Sequence, residues 1–266
     1  MILIGEKINA TRPSIRSMIQ NRDEGAISEL AKRQTYAGIS FIDVNVGTGV
    51  GSQQEEVRSM EWAVEAIQSE VDIPLSIDSS DPAVLEAGLK KTNGRASLIN
   101  STKAEQQSLE EIVPLASTYK SPLVALTMDE SGIPKTVQDR LHACEKMVKA
   151  CERWGVPMEH VFFDPLVMPI GTDINQGLIT LAAVTEIKKE FPKAKTVLGI
   201  SNISYGLPER HRLNAAFLHM AIYAGLDAAI VDPLDGDIMG EVLAAEVLVG
   251  RDRHCRRYTR AFRDRP

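Results

Sequence analysis

Four apolar runs in this chain stop abruptly on an amide or a carboxylate: Ser76-Ile77-Asp78-Ser79, Leu98-Ile99-Asn100-Ser101, Val161-Phe162-Phe163-Asp164-Pro165 and Gly199-Ile200-Ser201-Asn202. A short, fully apolar run of this kind reads as a buried parallel strand. Packing gives no reason for such a strand to end on Asp or Asn. Four of them point to one hydrogen-bonding site built from the same end of several strands, which is where a (β/α)8 barrel keeps its chemistry.

The rest of the chain fits that architecture. Strand and helix patterns alternate eight times, with strands expected near 2–8, 40–46, 73–78, 96–100, 122–128, 160–165, 196–201 and 228–232. Asp81-Pro82 supplies an N-cap followed by proline at the first helical position. Thr102-Lys103-Ala104-Glu105 reads as a capping box, and Gly38 and Gly225 as helix C-terminal glycines before strands two and eight. With 266 residues, the chain has the size of one such domain. The expected fold is a single (β/α)8 TIM barrel over residues 1–250, followed by a basic tail over 251–266; an open doubly wound sheet is the structural alternative. The tail holds seven Arg and two Asp, against a net charge of −6 for the whole chain. It reads as a solvated helix or tail, or as contact with an acidic partner or a second subunit.

Composition narrows the function classes. With an acidic body, nucleic-acid binding is not expected. No apolar run approaches the ~20 residues of a membrane span, and Met1-Ile2-Leu3-Ile4-Gly5-Glu6-Lys7 lacks the pattern of a signal peptide, so a cytoplasmic protein without membrane contact is expected. Three cysteines argue against a disulfide framework. Cys144 and Cys151 share the helical stripe Val137, Leu141, Cys144, Val148, Cys151 and read as core thiols, whereas Cys255 lies in the tail.

At its C-terminal mouth the barrel would gather Glu6 and Asn9, Asp43 and Asn45, Asp78, Asn100, Asp164, Ser201 and Asn202, and Asp232 with Asp235 beyond it. So many carboxylates repel a multiply charged anion. The five histidines show no metal-binding spacing, and no nucleophile stands beside a plausible base. Gly47-Thr48-Gly49-Val50-Gly51-Ser52 matches neither GxGxxG nor a P-loop and reads as a loop at the mouth. What this inventory suits is a flat heterocycle with many donors. A carboxylate accepts two N–H groups from an aminopyrimidinone edge, and an amide both donates and accepts, so a pterin fits. Each residue also has a structural reading. Asp78 could cap the next helix, Asn100 and Asn202 could satisfy loop backbone, and Glu6, Asn9, Asp43, Asn45 and Asp232 could stand behind the residues that touch the ligand.

Gly5-Glu6-Lys7-Ile8-Asn9, Asp43-Val44-Asn45-Val46-Gly47, Ile77-Asp78-Ser79, Ile99-Asn100-Ser101, Phe163-Asp164-Pro165 and Gly199-Ile200-Ser201-Asn202-Ile203-Ser204, in that order, resemble the pterin-binding methyltransferases. Among these the match is to the methyltetrahydrofolate:corrinoid protein methyltransferase family. The resemblance covers nearly the whole chain. It implies a homodimeric barrel in which Asp78, Asn100 and Asp164 hold the pterin, Gly199 and Ser201 line the pocket, Arg210 lies near it, and Asn202 reaches N5. Tyr205 stands where members of the family often carry Gln. Asn202 and Asp78 are the candidate catalytic residues, the first as a hydrogen-bond partner of N5 and the second as a proton source. Tetrahydrofolate or methyltetrahydrofolate would be the substrate. Cobalamin would be carried by a partner corrinoid protein, and no bound metal is expected. The alternatives are a dihydropteroate synthase-like pterin enzyme and a non-catalytic folate-binding subunit.

Overall fold

The computed structural model of the protein describes residues 1–263. Residues 264–266 of the basic C-terminal segment lie outside the described residues. Eight parallel strands close into a barrel in sequence order, β1 pairing with both β2 and β8. They are β1 Ile2–Asn9, β2 Phe41–Asn45, β3 Leu75–Asp78, β4 Ser97–Lys103, β5 Leu123–Leu126, β6 Val161–Asp164, β7 Lys195–Gly199 and β8 Ala228–Val231. The open-sheet alternative is thereby excluded.

The helices are α1 Pro13–Gln20, α2 Glu24–Tyr36, α3 Gln53–Gln68, α4 Pro82–Lys91, α5 Gln106–Tyr119, α6 Val137–Trp154, α7 Gln176–Glu190, α8 Arg210–Ala224, α9 Gly236–Leu248 and α10 Arg256–Arg263. Their ends follow local chemistry. Asp81 caps α4, accepting from the Ala83 and Val84 N–H groups, with Pro82 at the first helical position. Gly225 ends α8 at φ 113°, and Gly38, at φ 91°, follows the last turn of α2. Ser52, at the end of the glycine-containing loop, forms a reciprocal capping box with Glu55.

The expected capping box at Thr102–Glu105 does not form. β4 runs on to Lys103, pairing with β5 as far as Leu126, so Thr102 belongs to a strand and α5 starts only at Gln106. The Thr102 hydroxyl meets the Ser108 hydroxyl at 2.9 Å instead, and Ser108 Oγ accepts the Lys103 N–H.

Two apolar clusters show which way each strand faces. Ile4, Leu98, Val124, Phe162, Val197 and Ala228 fill the barrel interior. Their alternates, such as Ile42, Ile77, Ile99, Ala125, Phe163 and Leu198, pack outward against the helices. Cys144 and Cys151 are buried on α6, whereas Cys255 is exposed. Burial pushes the Cys144 thiol up and that of Cys151 up to about 12, so neither is a nucleophile at neutral pH.

Candidate functional site at the barrel mouth

Strand alternation carries each inward row to a residue at the C-terminal mouth. From Ile4 it leads to Glu6, from Leu98 to Asn100, from Phe162 to Asp164, from Val197 to Gly199, and from Ala228 through Ile230 to Asp232. On β2 and β3 the inward residues are Asp43, Asn45, Ser76 and Asp78. Asn9, Asn45, Asp78 and Asn100 stand in register across β1–β4.

Below that row, Asp43 is buried, and its Oδ1 accepts both the Ser76 hydroxyl at 2.7 Å and the Asn100 Nδ2 at 3.1 Å. Asn45 Nδ2 donates to Asp78 Oδ2 at 2.9 Å, and Asn45 Oδ1 accepts the Gly47 N–H at 3.0 Å. Burial raises the Asp43 carboxyl well above the ordinary range, and the neighbouring Asp78 carboxylate adds to the effect. Asp78 is also raised, again by burial, with Asn45 and Asp43 opposing the shift. The two carboxyls are coupled and burial favours the protonated form of each, with Asp78 the member that stands at the mouth. Asp78 does not cap α4; Asp81 does.

Across the mouth, burial raises the Asp164 carboxyl to about 7; the Leu166 N–H, donating to Oδ1 at 2.8 Å, and the Arg140 guanidinium oppose that rise. Asn202 lies in a 3₁₀ turn over Ile200–Ser204 and is exposed. Its side-chain amide makes no hydrogen bond to other described residues, so both its donors and its acceptor are available at the mouth. Gly199 lies directly beneath: a Cβ there would sit 3.2 Å from Asn202 Nδ2.

The Ser201 hydroxyl donates to Glu6 Oε2 at 3.2 Å, and Arg12 pairs with Glu6 Oε1 at 3.0 Å. Burial raises the Glu6 carboxyl, with Arg12 pulling the other way. Lys7 and Asp232 form an ion pair at 2.5 Å. Together with Arg210 and His211, Glu6, Arg12 and Asp232 line a cavity beside the Ile200–Ser204 turn.

The structure thus brings Asp43, Asn45, Asp78 and Asn100 into one hydrogen-bonded group and sets Asp164, Gly199 and Asn202 around the same opening. Two of the expected residues also engage neighbouring loop groups. Asn9 Oδ1 accepts from the Thr11 N–H and hydroxyl, forming the turn into α1. Arg210 donates to Ser201 O at 2.6 Å and to Ser204 Oγ at 3.1 Å, bracing the turn that carries Asn202. Sequence reasoning did not pick out Ser76, which strand alternation with Asp78 would have placed inward. It also passed over Arg140, a buried charge inside an amphipathic helix, for which the sequence carries no signal.

Among the described residues, no group of three or more His, Cys, Asp or Glu is arranged to hold a metal ion, and no helix is long and apolar enough to cross a membrane.

The chain is a closed (β/α)8 barrel whose mouth carries buried carboxylates and amides. The profile of the pterin binding enzymes matches residues 5–232, and the chain belongs to that family. It is 35% identical over 265 residues to a methylcorrinoid:tetrahydrofolate methyltransferase of Eubacterium limosum, an alignment covering 99% of this chain and 96% of the relative. It is also 33% identical over 244 residues to the methionine synthase of Mycobacterium tuberculosis; that match covers 87% of this chain but 20% of the much longer relative. Among solved structures, the dihydropteroate synthase of Vibrio fischeri superposes with a TM-score of 0.71 at 20% identity, covering 94% of both chains. That of Yersinia pestis gives 0.69 at 21%, covering 95% of this chain and 93% of the other. At these identities the two structures support the fold alone.

Proposed function

We propose that this protein is an enzyme that transfers a methyl group between N5 of tetrahydrofolate and the cobalt of a corrinoid protein. The observation that carries this reading is the end-to-end match to the methylcorrinoid:tetrahydrofolate methyltransferase, over a barrel whose inward rows finish on Asp78, Asn100 and Asp164. The folate is the substrate. The cobalamin belongs to the partner, and its cobalt is the methyl donor or acceptor.

The chain's own residues have three tasks. Asp164 and Asp78, aided by Asn100, receive the N–H groups of the pterin edges, and Gly199 and Ser201 line the pocket. Asn202 faces N5. A tertiary amine is a poor leaving group, so N5 must gain a proton or positive charge as the C–N bond breaks. A neutral amide cannot supply that proton, but its carbonyl can accept from a protonated N5 and stabilise it as charge develops. The proton comes from the Asp43–Asp78 pair, through Asp78 or an intervening water. No enzyme nucleophile is required, because the cobalt is the nucleophile in one direction and the leaving group in the other; positioning and electrostatics are the enzyme's contribution.

The reading extends to a cytoplasmic homodimer. Exposed Met220 and Tyr223 on α8 and Leu178 on α7 supply apolar surface for a second copy, which sedimentation would detect. The catalytic reading is tested by anaerobic incubation with methyltetrahydrofolate and Co(I) cobalamin. Formation of methylcobalamin supports it. Formation of dihydropteroate from p-aminobenzoate and a pterin pyrophosphate would assign the site to the other chemistry.

A further inference from the structure

The turn that carries Asp164 is held at three successive backbone carbonyls, each by a different segment. Asp164 O accepts the Thr127 N–H at 2.9 Å, just past the end of β5. Pro165 O accepts the Arg140 Nε–H at 2.6 Å, from α6. Leu166 O accepts the Thr180 hydroxyl at 3.2 Å, from α7. The Leu166 N–H closes the turn onto Asp164 Oδ1. Leu166 itself has φ 64°, a conformation that a bulky side chain adopts only where the surroundings impose it.

Arg140 is the unusual member of this clamp. It is fully buried, it forms no ion pair among the described residues, and its Nη2 has no hydrogen-bond partner. Its Nη1 donates to Thr136 O at 3.0 Å, one turn back. A buried, unpaired cation is costly, and a core that needed only to be filled would be better served by Leu or Met. The charged groups that act on it electrostatically are Asp139, engaged by the N–H groups of Lys135 and Thr136, and Asp164. The contacts on the turn from β5 and α7 come from the uncharged Thr127 and Thr180.

We propose that Arg140 is a positioning residue for pterin recognition: its guanidinium fixes the Asp164–Leu166 turn through Pro165, so that the Asp164 carboxylate is presented to the aminopyrimidinone edge. Its positive charge also favours the ionised carboxylate that two N–H donors require. The inference rests on the pterin reading of the site. An arginine is needed because a planar fork can hold Pro165 O and Thr136 O at once while keeping its charge under burial.

The test is titration of tetrahydrofolate into wild type, Asp164→Asn, Arg140→Lys and Arg140→Met across pH 6 to 8.5, with folding checked by circular dichroism. Arg140→Lys keeps the charge and loses the fork. Its affinity should fall about tenfold, the equivalent of roughly 1.4 kcal/mol, with the pH midpoint of binding unmoved. Arg140→Met should bind more weakly still, with the midpoint displaced to higher pH, a change that mere loosening of the core would not produce. Wild-type affinity and an unmoved midpoint in the arginine variants would overturn the inference. If Arg140→Met does not fold, wild-type affinity in Arg140→Lys overturns it alone. Failure of wild type to bind the pterin would overturn the reading of the site and this inference together.

Discussion

Asn45 positions Asp78. Its amide nitrogen lies 2.9 Å from Asp78 Oδ2, while its oxygen is occupied by the Gly47 N–H, so both ends of the amide are committed and its orientation is fixed. Asp78 Oδ2 is thereby held in place at the mouth. Replacing Asn45 with Ala frees the carboxylate without touching the pterin. Folate Kd should rise roughly tenfold to 150-fold, corresponding to about 1.5–3 kcal/mol for a hydrogen bond to a charged group, with the circular dichroism spectrum retained. Binding titrations check this.

Asp164 couples binding to pH. Its free-protein pKa of about 7 lies above the ordinary carboxyl value, and the N–H donors of a pterin favour the carboxylate. Affinity should therefore be constant above pH 8 and fall as pH drops through 7, approaching tenfold per unit below it, with a proton released on binding near neutrality. Calorimetry in buffers of different ionisation enthalpy measures that proton.

The same group shapes stability with the opposite slope. A carboxyl whose folded pKa exceeds its unfolded value binds more protons in the native state, so stability is fully present below pH ~4 and declines as pH rises to about 7. Asp164→Asn should flatten that decline and raise the stability of the free protein at pH 8 by on the order of 2–4 kcal/mol, while abolishing tight folate binding. Thermal melts at pH 5 and pH 8 separate the two effects.

Gly199 leaves room for Asn202. A Cβ at Gly199 would lie 3.2 Å from Asn202 Nδ2, so Gly199→Ala should displace the amide and lower turnover by about tenfold or more while leaving folate Kd within about threefold. As a control, Asp81→Ala removes the α4 cap and should cost ~1 kcal/mol of stability at unchanged turnover.

Much of the barrel and its mouth was legible in the sequence because strand period and strand-end polarity are local signals. Asp78, Asn100 and Asp164 interrupt apolar runs, and alternation alone sets them on the inner face. What remained illegible depends on contacts between segments far apart in the chain. Thr102 looks like a helix cap until β5 pairs with it and draws β4 past Asn100. Arg140 looks like an ordinary helix charge until the Asp164 turn folds over it. Arg210 also braces Ser201 O, a bond that only the folded turn discloses. The raised carboxyls of Asp43 and Asp78 likewise come chiefly from burial beneath the mouth, which neither segment announces alone.

The most direct measurement is a single-turnover, anaerobic stopped-flow reaction of methyltetrahydrofolate with Co(I) cobalamin, followed by cobalamin absorbance, for wild type and Asn202→Ala. The account predicts methylcobalamin formation by wild type and a rate about 10²–10³ lower in Asn202→Ala, equivalent to ~2.7–4 kcal/mol, with a much smaller change in folate Kd. Equal losses of rate and binding, or no loss of either, would contradict the role given to Asn202. Absence of transfer by a folate-bound wild type, even with a corrinoid protein supplied, would contradict the methyltransferase reading itself.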